Sequence, residues 1–484
     1  MGKFGTLAKW STGILLAVVL AFAVAGFVYH AGKIILFPYE LAAGEELLLR
    51  DAVQLARAER IYTDVNDFPF IVSNYPPLFV GLSALLIPLL GQSLASTRLV
   101  STVCTLLTAA LIGLIIFQES RRTVPSVTCG AAFLGSIFVY HWGAWGRVDT
   151  TALLFSLLAI LVFLHSPDWR GTCLAACFCV LSLYTKQTQW AAPMAIFLWL
   201  LWCRKWRHAL LFFVVLGGLG VGASYSLTWV TDGQFYHHLV TYNLLDYSLR
   251  SFASYWRAFL LTHGLIVAVA LLWSLACLRK GSLSLPILYF ATSALMTMAV
   301  GRAGASSNYF LELIAVTLIL CGVLWSELEK RGTYAALAVP AILLLQLVWF
   351  KAFPLTPLAT YYDPLPSFGY TPQAADWLAG QKIDQYVRNA EGEILTEGGG
   401  FALRNGKELY GSPWLLNALE GTGLVDRGLD GLERALAEHR FSLVILTWQS
   451  YPPRILEAVW ANYQRIDTVD CVFRYEIFVP RDGG

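Results

Sequence analysis

The chain has 484 residues, 57% of them hydrophobic and only 14% charged, with a formal net charge of +2. That balance excludes an ordinary soluble domain, and so small a net charge without a basic run excludes a nucleic-acid binder. The composition is that of a polytopic membrane protein.

In chain order, the first apolar stretch, Ile14 to Phe37, is too long for a signal-peptide core and lacks a small-residue cleavage site, so it predicts a retained helix. NYPPLFVGLSALLIPLLGQ (74–92) reads at first as a span. From Pro76 to Leu90, however, it offers 15 residues, about 22 Å of helix against a hydrocarbon core of roughly 30 Å. Pro76, Pro77 and Pro88 interrupt it further, so it predicts an interfacial helix. Ten apolar segments follow: 98–118, 124–142, 148–165, 171–185, 190–203, 209–230, 256–278, 284–301, 308–326 and 333–352. Alternate loops hold clustered basic residues (Arg121, Arg122, Arg170, Arg204, Lys205, Arg207, Arg279, Lys280, Lys330 and Arg331), whereas the other set holds only Arg147, Lys186, Arg250, Arg257 and Arg302. The clustered set predicts the cytoplasmic side, and Lys3 and Lys9 put the N-terminus there too. The expectation is a polytopic α-helical protein of eleven crossings, N-terminus in and C-terminus out, with a first external loop at 38–97. A span at 74–92 would make twelve and invert everything downstream.

Residues 1–352 thus read as a transmembrane module, 353–372 as a Pro-rich linker and 373–484 as a soluble α/β domain outside the cytoplasm. In that domain GEILTEGGGFAL and FSLVILTW predict strands, and LERALAEHR and PRILEAVWANY predict helices. Eight of nine cysteines fall in apolar segments; Cys173, Cys177 and Cys179 share one predicted helix as small hydrophobes, and no disulfide framework is implied.

An ionisable group near apolar helices is costly without a partner or a task. The isolated ones gather on the outer side: Glu45, Asp64, Arg98, Arg147, Asp149, Lys186, Arg302 and Glu312. An ion-coupled transporter would instead hold such groups near the midplane. In GEELLLRDAVQLARAERIY the helical period puts Glu46, Arg50, Gln54 and Arg57 on a polar face and Leu48, Ala52, Leu55 and Ala56 opposite, with Glu45 on the packed side. A carboxylate there either caps the first turn or is held in a site. AWGRVDTTALLF sets Arg147 and Asp149 at a helix start, either as dipole and interface partners or as part of a site. Lys186 in YTKQTQWAAP reads alone as a solvated loop residue, and the GRAGASSNYFLELI loop, with Arg302, Asn308 and Tyr309, either cradles an anion or is a plain turn. His141 and His263 are isolated, and no Walker loop, HExxH, CxxC or GxSxG occurs, so no metal is assigned.

In this order AAGEELLLRDAVQLARAERIY, NYPPLF, STRLVS, GRVDTTALLFSLL, YTKQTQWAAP and GRAGASSNYFLEL resemble the GT-C superfamily of polytopic glycosyltransferases. The likeness is to bacterial members related to the protein O-mannosyltransferases and the lipid A aminoarabinose transferase, and it covers nearly the whole chain. It implies a sugar donor on a polyprenyl phosphate, a glycan, lipid or protein acceptor, and inverting transfer to a hydroxyl at the outer face of the inner membrane. On that reading Glu45 is the general base, and Lys186, Arg98 and Arg302 neutralise the departing phosphate. Asp149 orients Arg147 or a sugar hydroxyl, Tyr75 and Asn74 line the acceptor side, and Asp64, Asn308 and Tyr309 assist substrate binding. No cofactor or metal is called for. Two departures stand out: many relatives have Asp-Glu where this chain has Gly44-Glu45, and Asp149 stands alone where metal-dependent oligosaccharyltransferases have two Asp. A lipid-glycan transporter or flippase without chemistry is the rival reading, and an inactive scaffold whose external domain binds partners is a third.

Overall fold

A computed structural model describes residues 3–332, 334–352 and 369–481. Most of the expected Pro-rich linker, 353–368, lies outside the described residues. The chain begins with α1 (Lys3–Leu36), and a long loop then carries α2 (Glu45–Ala56), α3 (Leu78–Ala84) and α4 (Ile87–Leu90). The bundle continues with α5 (Ala95–Ser120), α6 (Thr123–Gly135), α7 (Ile137–Trp142), α8 (Asp149–His165), α9 (Trp169–Leu183), α10 (Ala191–Trp202) and α11 (Trp206–Val230). The short α12 (Gln234–Leu239) precedes α13 (Leu249–Arg279), α14 (Leu285–Met296), α15 (Leu311–Lys330) and α16 (Ala338–Ala352).

Trp10–Leu36, Ala95–Ser120, Trp206–Val230, Leu249–Arg279 and Ser307–Lys330 are long and apolar enough to cross a membrane, and six shorter apolar helices stand among them. The chain is an integral membrane protein. The 74–92 stretch folds as two pieces of 7 and 4 residues, with Pro88 in the first turn of the second, and neither piece is long enough to span. The expected helix over 124–142 is broken at Ser136, whose extended backbone (ψ 134°) separates α6 from α7. At the centre stands α15, where every residue from Leu311 to Gly322 is buried, as expected of a helix apolar on all sides. By contrast only Ala209 and Phe212 are buried in α11, which forms the rim.

The C-terminal domain contains α17 (Ala374–Asn389), β1 (Glu393–Thr396), α18 (Gly399–Arg404), α19 (Pro413–Leu419), α20 (Asp426–Ala437), β2 (Phe441–Leu446), α21 (Pro453–Asn462), β3 (Tyr463–Asp470) and β4 (Arg474–Pro480). The sheet order is β1-β2-β4-β3, with β1 and β2 parallel and the other pairs antiparallel. GEILTEGGGFAL is strand only as far as Thr396; its second half turns and becomes α18.

This domain is seated on the first loop by close backbone approaches. The Tyr39 ring stacks on Phe401 at 4.9 Å and its hydroxyl donates to Asp384 at 3.2 Å. The Gly400 N–H donates to Glu40, the Gly411 N–H to the Pro69 carbonyl (2.8 Å), and the Val72 N–H to the Ser412 hydroxyl (2.9 Å). The expected polar face of α2 is corrected: Glu46, against Gly399 of the docked domain, is 4% exposed, and Arg50, bonded within the first loop to Asp51 (3.1 Å) and to the Ile61 carbonyl, is 3% exposed. A Cβ on Gly380 would lie 2.0 Å from the Tyr39 ring. Gly380→Ala is therefore expected to cost about 1–3 kcal/mol of docking and to speed amide exchange in 374–404 of the full-length protein, and unchanged protection there would contradict this packing.

Candidate active site

Glu45 opens α2 directly after Gly44, which sits in the left-handed region (φ 89°). Glu45 Oε1 accepts from Arg98 Nε and from the Gly146 N–H, both at 2.9 Å, and its Oε2 accepts from Arg98 Nη2 at 2.7 Å and the Leu41 N–H at 3.1 Å. The remaining Arg98 N–H groups donate to the Ile34, Phe37 and Tyr39 carbonyls, satisfying the end of α1. Both side chains are fully buried. Burial by itself would raise the Glu45 pKa, but the Arg98 guanidinium holds it below the usual carboxylate range. Arg98, expected on the phosphate, is thus spent on Glu45 and on backbone carbonyls.

Beside this pair lies a cavity of about 430 Å³ whose wall includes Gly44, Glu46, Asn74, Tyr75, Arg147 and Arg302. Glu46 folds back so that its Oε2 accepts from the Gly44 N–H at 2.8 Å. A Cβ on Gly44 would come within 2.9 Å of Arg147 Nη1. The space where an Asp side chain would start is therefore taken by Arg147, and the Glu46 carboxylate reaches the same backbone position. Arg147 is steadied by the Ala43 carbonyl and the Tyr75 hydroxyl, both at 3.2 Å. Burial, with the negative Glu45 adding to it and the Gly44 N–H opposing it, pushes the Glu46 carboxyl up to about 8.

A smaller cavity of about 50 Å³ adjoins, walled by Lys186, Tyr309, Asn74, Tyr75 and Arg302. Lys186 Nζ donates to Asp149 Oδ1 at 2.7 Å, the same oxygen accepts from Asn308 Nδ2 at 2.8 Å, and the ammonium stands 4.1 Å from the Tyr309 ring centroid. Burial opposes the charge on Lys186, but Asp149 outweighs it and pushes the pKa up to about 12, so the group stays cationic. Arg302 does not sit in a plain turn. A Cβ on Gly301 would strike the Tyr247 ring at 2.4 Å and one on Gly304 the Trp414 ring at 2.5 Å. The Ser248 N–H donates to the Gly301 carbonyl and the Ala303 N–H to the Asp246 carbonyl, each at 2.8 Å. Only glycine permits both ring contacts, so the loop is clamped.

Of the sequence-predicted residues, the structure brings together Asn74, Tyr75, Arg147, Asp149, Lys186, Arg302, Asn308 and Tyr309. Glu45 and Arg98 stand behind the cavity wall rather than in it. Asp64 is elsewhere, in an exposed pair with Arg427 at 3.2 Å that staples the first loop to the C-terminal domain. Glu46, Trp414 and Trp448 line the large cavity without having been singled out. Glu46 was hidden because the helical period cannot say which face a later domain will cover, and nothing in SPWLL or LTWQS marks those indoles apart from core tryptophans. Among the described residues no group of three or more His, Cys, Asp or Glu is arranged to hold a metal ion. The arrangement sets the Glu46 carboxylate beside Arg147 and Arg302 in one cavity and Lys186 in its neighbour, with Asn74, Tyr75, Arg302 and Trp414 shared between the two.

Residues 74–230 match the Dolichyl-phosphate-mannose-protein mannosyltransferase family by sequence profile. Among solved structures, ArnT from Cupriavidus metallidurans bound to undecaprenyl phosphate superposes with a TM-score of 0.61 at 13% identity, covering 96% of this chain and 97% of that one. The oligosaccharyltransferase of Archaeoglobus fulgidus superposes with a TM-score of 0.52 at 13% identity, covering 94% and 73%. No curated protein matches the chain in sequence. The chain has the GT-C fold, is similar in structure to ArnT, and over residues 74–230 is similar in sequence to the protein mannosyltransferases.

Proposed function

We propose that the protein transfers a sugar from a lipid-phosphate donor to a hydroxyl acceptor at the outer surface of the inner membrane. The observation that carries this reading is that a small cavity walled by Lys186 and Arg302 adjoins a larger one where the Glu46 carboxylate stands with Arg147, the two sharing Arg302. The likeness in fold to a structure that holds undecaprenyl phosphate supports it. In this scheme the donor phosphate occupies the smaller cavity. The acceptor hydroxyl gives its proton to Glu46 as its oxygen bonds to the anomeric carbon, while the bond from that carbon to the phosphate breaks on the opposite side, so the configuration inverts. Lys186 and Arg302 take up the charge that accumulates on the phosphate. Asp149 holds Lys186 by its ion pair, and Arg147 holds the turn at Gly44. The scheme moves the base from Glu45 to Glu46, because every Glu45 oxygen is already bonded to Arg98 or to backbone N–H groups. Eleven crossings with the N-terminus in place both cavities and the C-terminal domain outside the cytoplasm.

Glu46→Gln is expected to lower transfer by roughly 10² to 10⁴ while leaving folding and undecaprenyl-phosphate binding in place. The wild-type rate should climb with pH through about 8, as Glu46 loses its proton, and the residual rate of Glu46→Gln should not. Glu45→Gln should act on stability instead, because it strands a buried guanidinium at a cost of about 3–5 kcal/mol, visible in Tm. A well-folded, inactive Glu45→Gln beside an active Glu46→Gln would return the base to Glu45.

Lys186→Ala should weaken undecaprenyl-phosphate binding by about 10-fold or more, and Lys186→Arg should recover only part of it, because a planar guanidinium replaces a compact ammonium. Full retention by Lys186→Ala, read by native mass spectrometry, would remove the lysine from the site.

Orientation is checked by membrane-impermeant thiol labelling in a Cys203→Ser background, since Cys203 is itself exposed. Cysteine at Gln92 should label from outside and cysteine at Arg122 should not, and the reverse pattern would invert the topology.

A further inference from the structure

The C-terminal domain's contribution to the large cavity is confined to three pieces of chain. Glu397 directly follows β1, Trp448 and Ser450 directly follow β2, and Ser412–Leu415 open α19. β1 and β2 are parallel neighbours, so the first two pieces leave the sheet at its carboxyl edge, where α/β sheets characteristically bind ligands. Glu397 is 1% exposed, and its carboxylate accepts the N–H groups of Thr447 (2.7 Å), Gln449 (2.9 Å) and Ser450. Those bonds hold a turn in which Gln449 has φ +52°, an uncommon conformation for a residue with a side chain. The turn presents Trp448 in the cavity wall, backed by Phe473 at 5.1 Å. Trp414, in the same cavity wall, keeps 39% of its surface exposed.

From this placement we infer that the carboxyl ends of β1 and β2, with Trp448 and Trp414, form an acceptor subsite for a saccharide. The inference rests on the glycosyl-transfer reading above and narrows its acceptor to one chemical class. Indole faces cover the C–H faces of a sugar ring while their edges stay open to polar contact. An extended peptide acceptor would be expected to pair with a strand edge, yet no residue of β1, β2, β3 or β4 lines the cavity. An acyl chain would call for a dry apolar channel, whereas Glu46, Asn74 and Arg147 share this wall. Trp448 lines the large cavity and not the cation-walled one, so the subsite lies on the Glu46 side, where an attacking hydroxyl is required.

The test uses the full-length protein in nanodiscs, applied to an array of bacterial envelope oligosaccharides and to an array of unglycosylated peptides, with undecaprenyl-phosphate binding followed separately by native mass spectrometry. Saccharides and not peptides should be retained. Trp448→Ala should weaken that retention by about tenfold, and Trp448→Phe, which keeps a smaller stacking face, should fall between. Retention of peptides alone, retention of no saccharide, or saccharide retention indifferent to Trp448→Ala overturns the inference. Loss of undecaprenyl-phosphate binding in the wild type, with Trp448-dependent saccharide retention intact, would fail the donor reading and leave this subsite standing.

Discussion

The buried pair of Glu45 and Arg98 is the contact on which the rest of the site depends. It fastens four parts of the chain at one point: the end of α1 through its carbonyls, the first turn of α2, the start of α5, and the Gly146 turn before α8. A buried ion pair is a poor source of net stability, because desolvation consumes most of what the Coulomb attraction returns. Its value here is geometric. With both Glu45 oxygens occupied, the first turn of α2 has one rotational setting, and in that setting the next residue, Glu46, faces the cavity.

Most of the bundle could be read from the sequence because hydrophobicity over a stretch of lipid-spanning length is a strong signal. The failures came where a short-range detail decided the outcome. Nothing in LGSIF announces that Ser136 will break a helix, and GGGFAL turns into α18 where apolar alternation suggested a longer strand. In the site, of the isolated ionisable groups singled out by charge economy, Lys186, Asp149, Arg147 and Arg302 lie around adjoining cavities, whereas Asp64 stands apart. Charge economy could not say which group faces the cavity and which is consumed in holding the wall. Arg98 and Glu45 look like site residues for the same reason that they are structural ones: each is a charge that burial forbids to stand alone.

The turn at position 44 shows how tightly local geometry couples neighbouring groups. Gly44 reaches φ 89° without strain, Arg147 lies against it, and Glu46 bends back to its N–H. Introducing a side chain at 44 would both strain the backbone and displace the guanidinium. The negative charge and the empty position therefore belong to one solution and cannot be exchanged one at a time.

The clamp on Arg302 carries a consequence for the order in which the protein is made. One of its two jaws, Tyr247, precedes Arg302 in the chain, but the other, Trp414, belongs to a domain that leaves the ribosome more than a hundred residues later. Until that last segment has folded and docked, the Gly304 side of the loop has no wall and the large cavity lacks its outer one. A chain threaded into the bilayer without that last segment has neither the Trp414 contact at Gly304 nor the part of the cavity wall that Glu397, Ser412–Leu415, Trp448 and Ser450 supply.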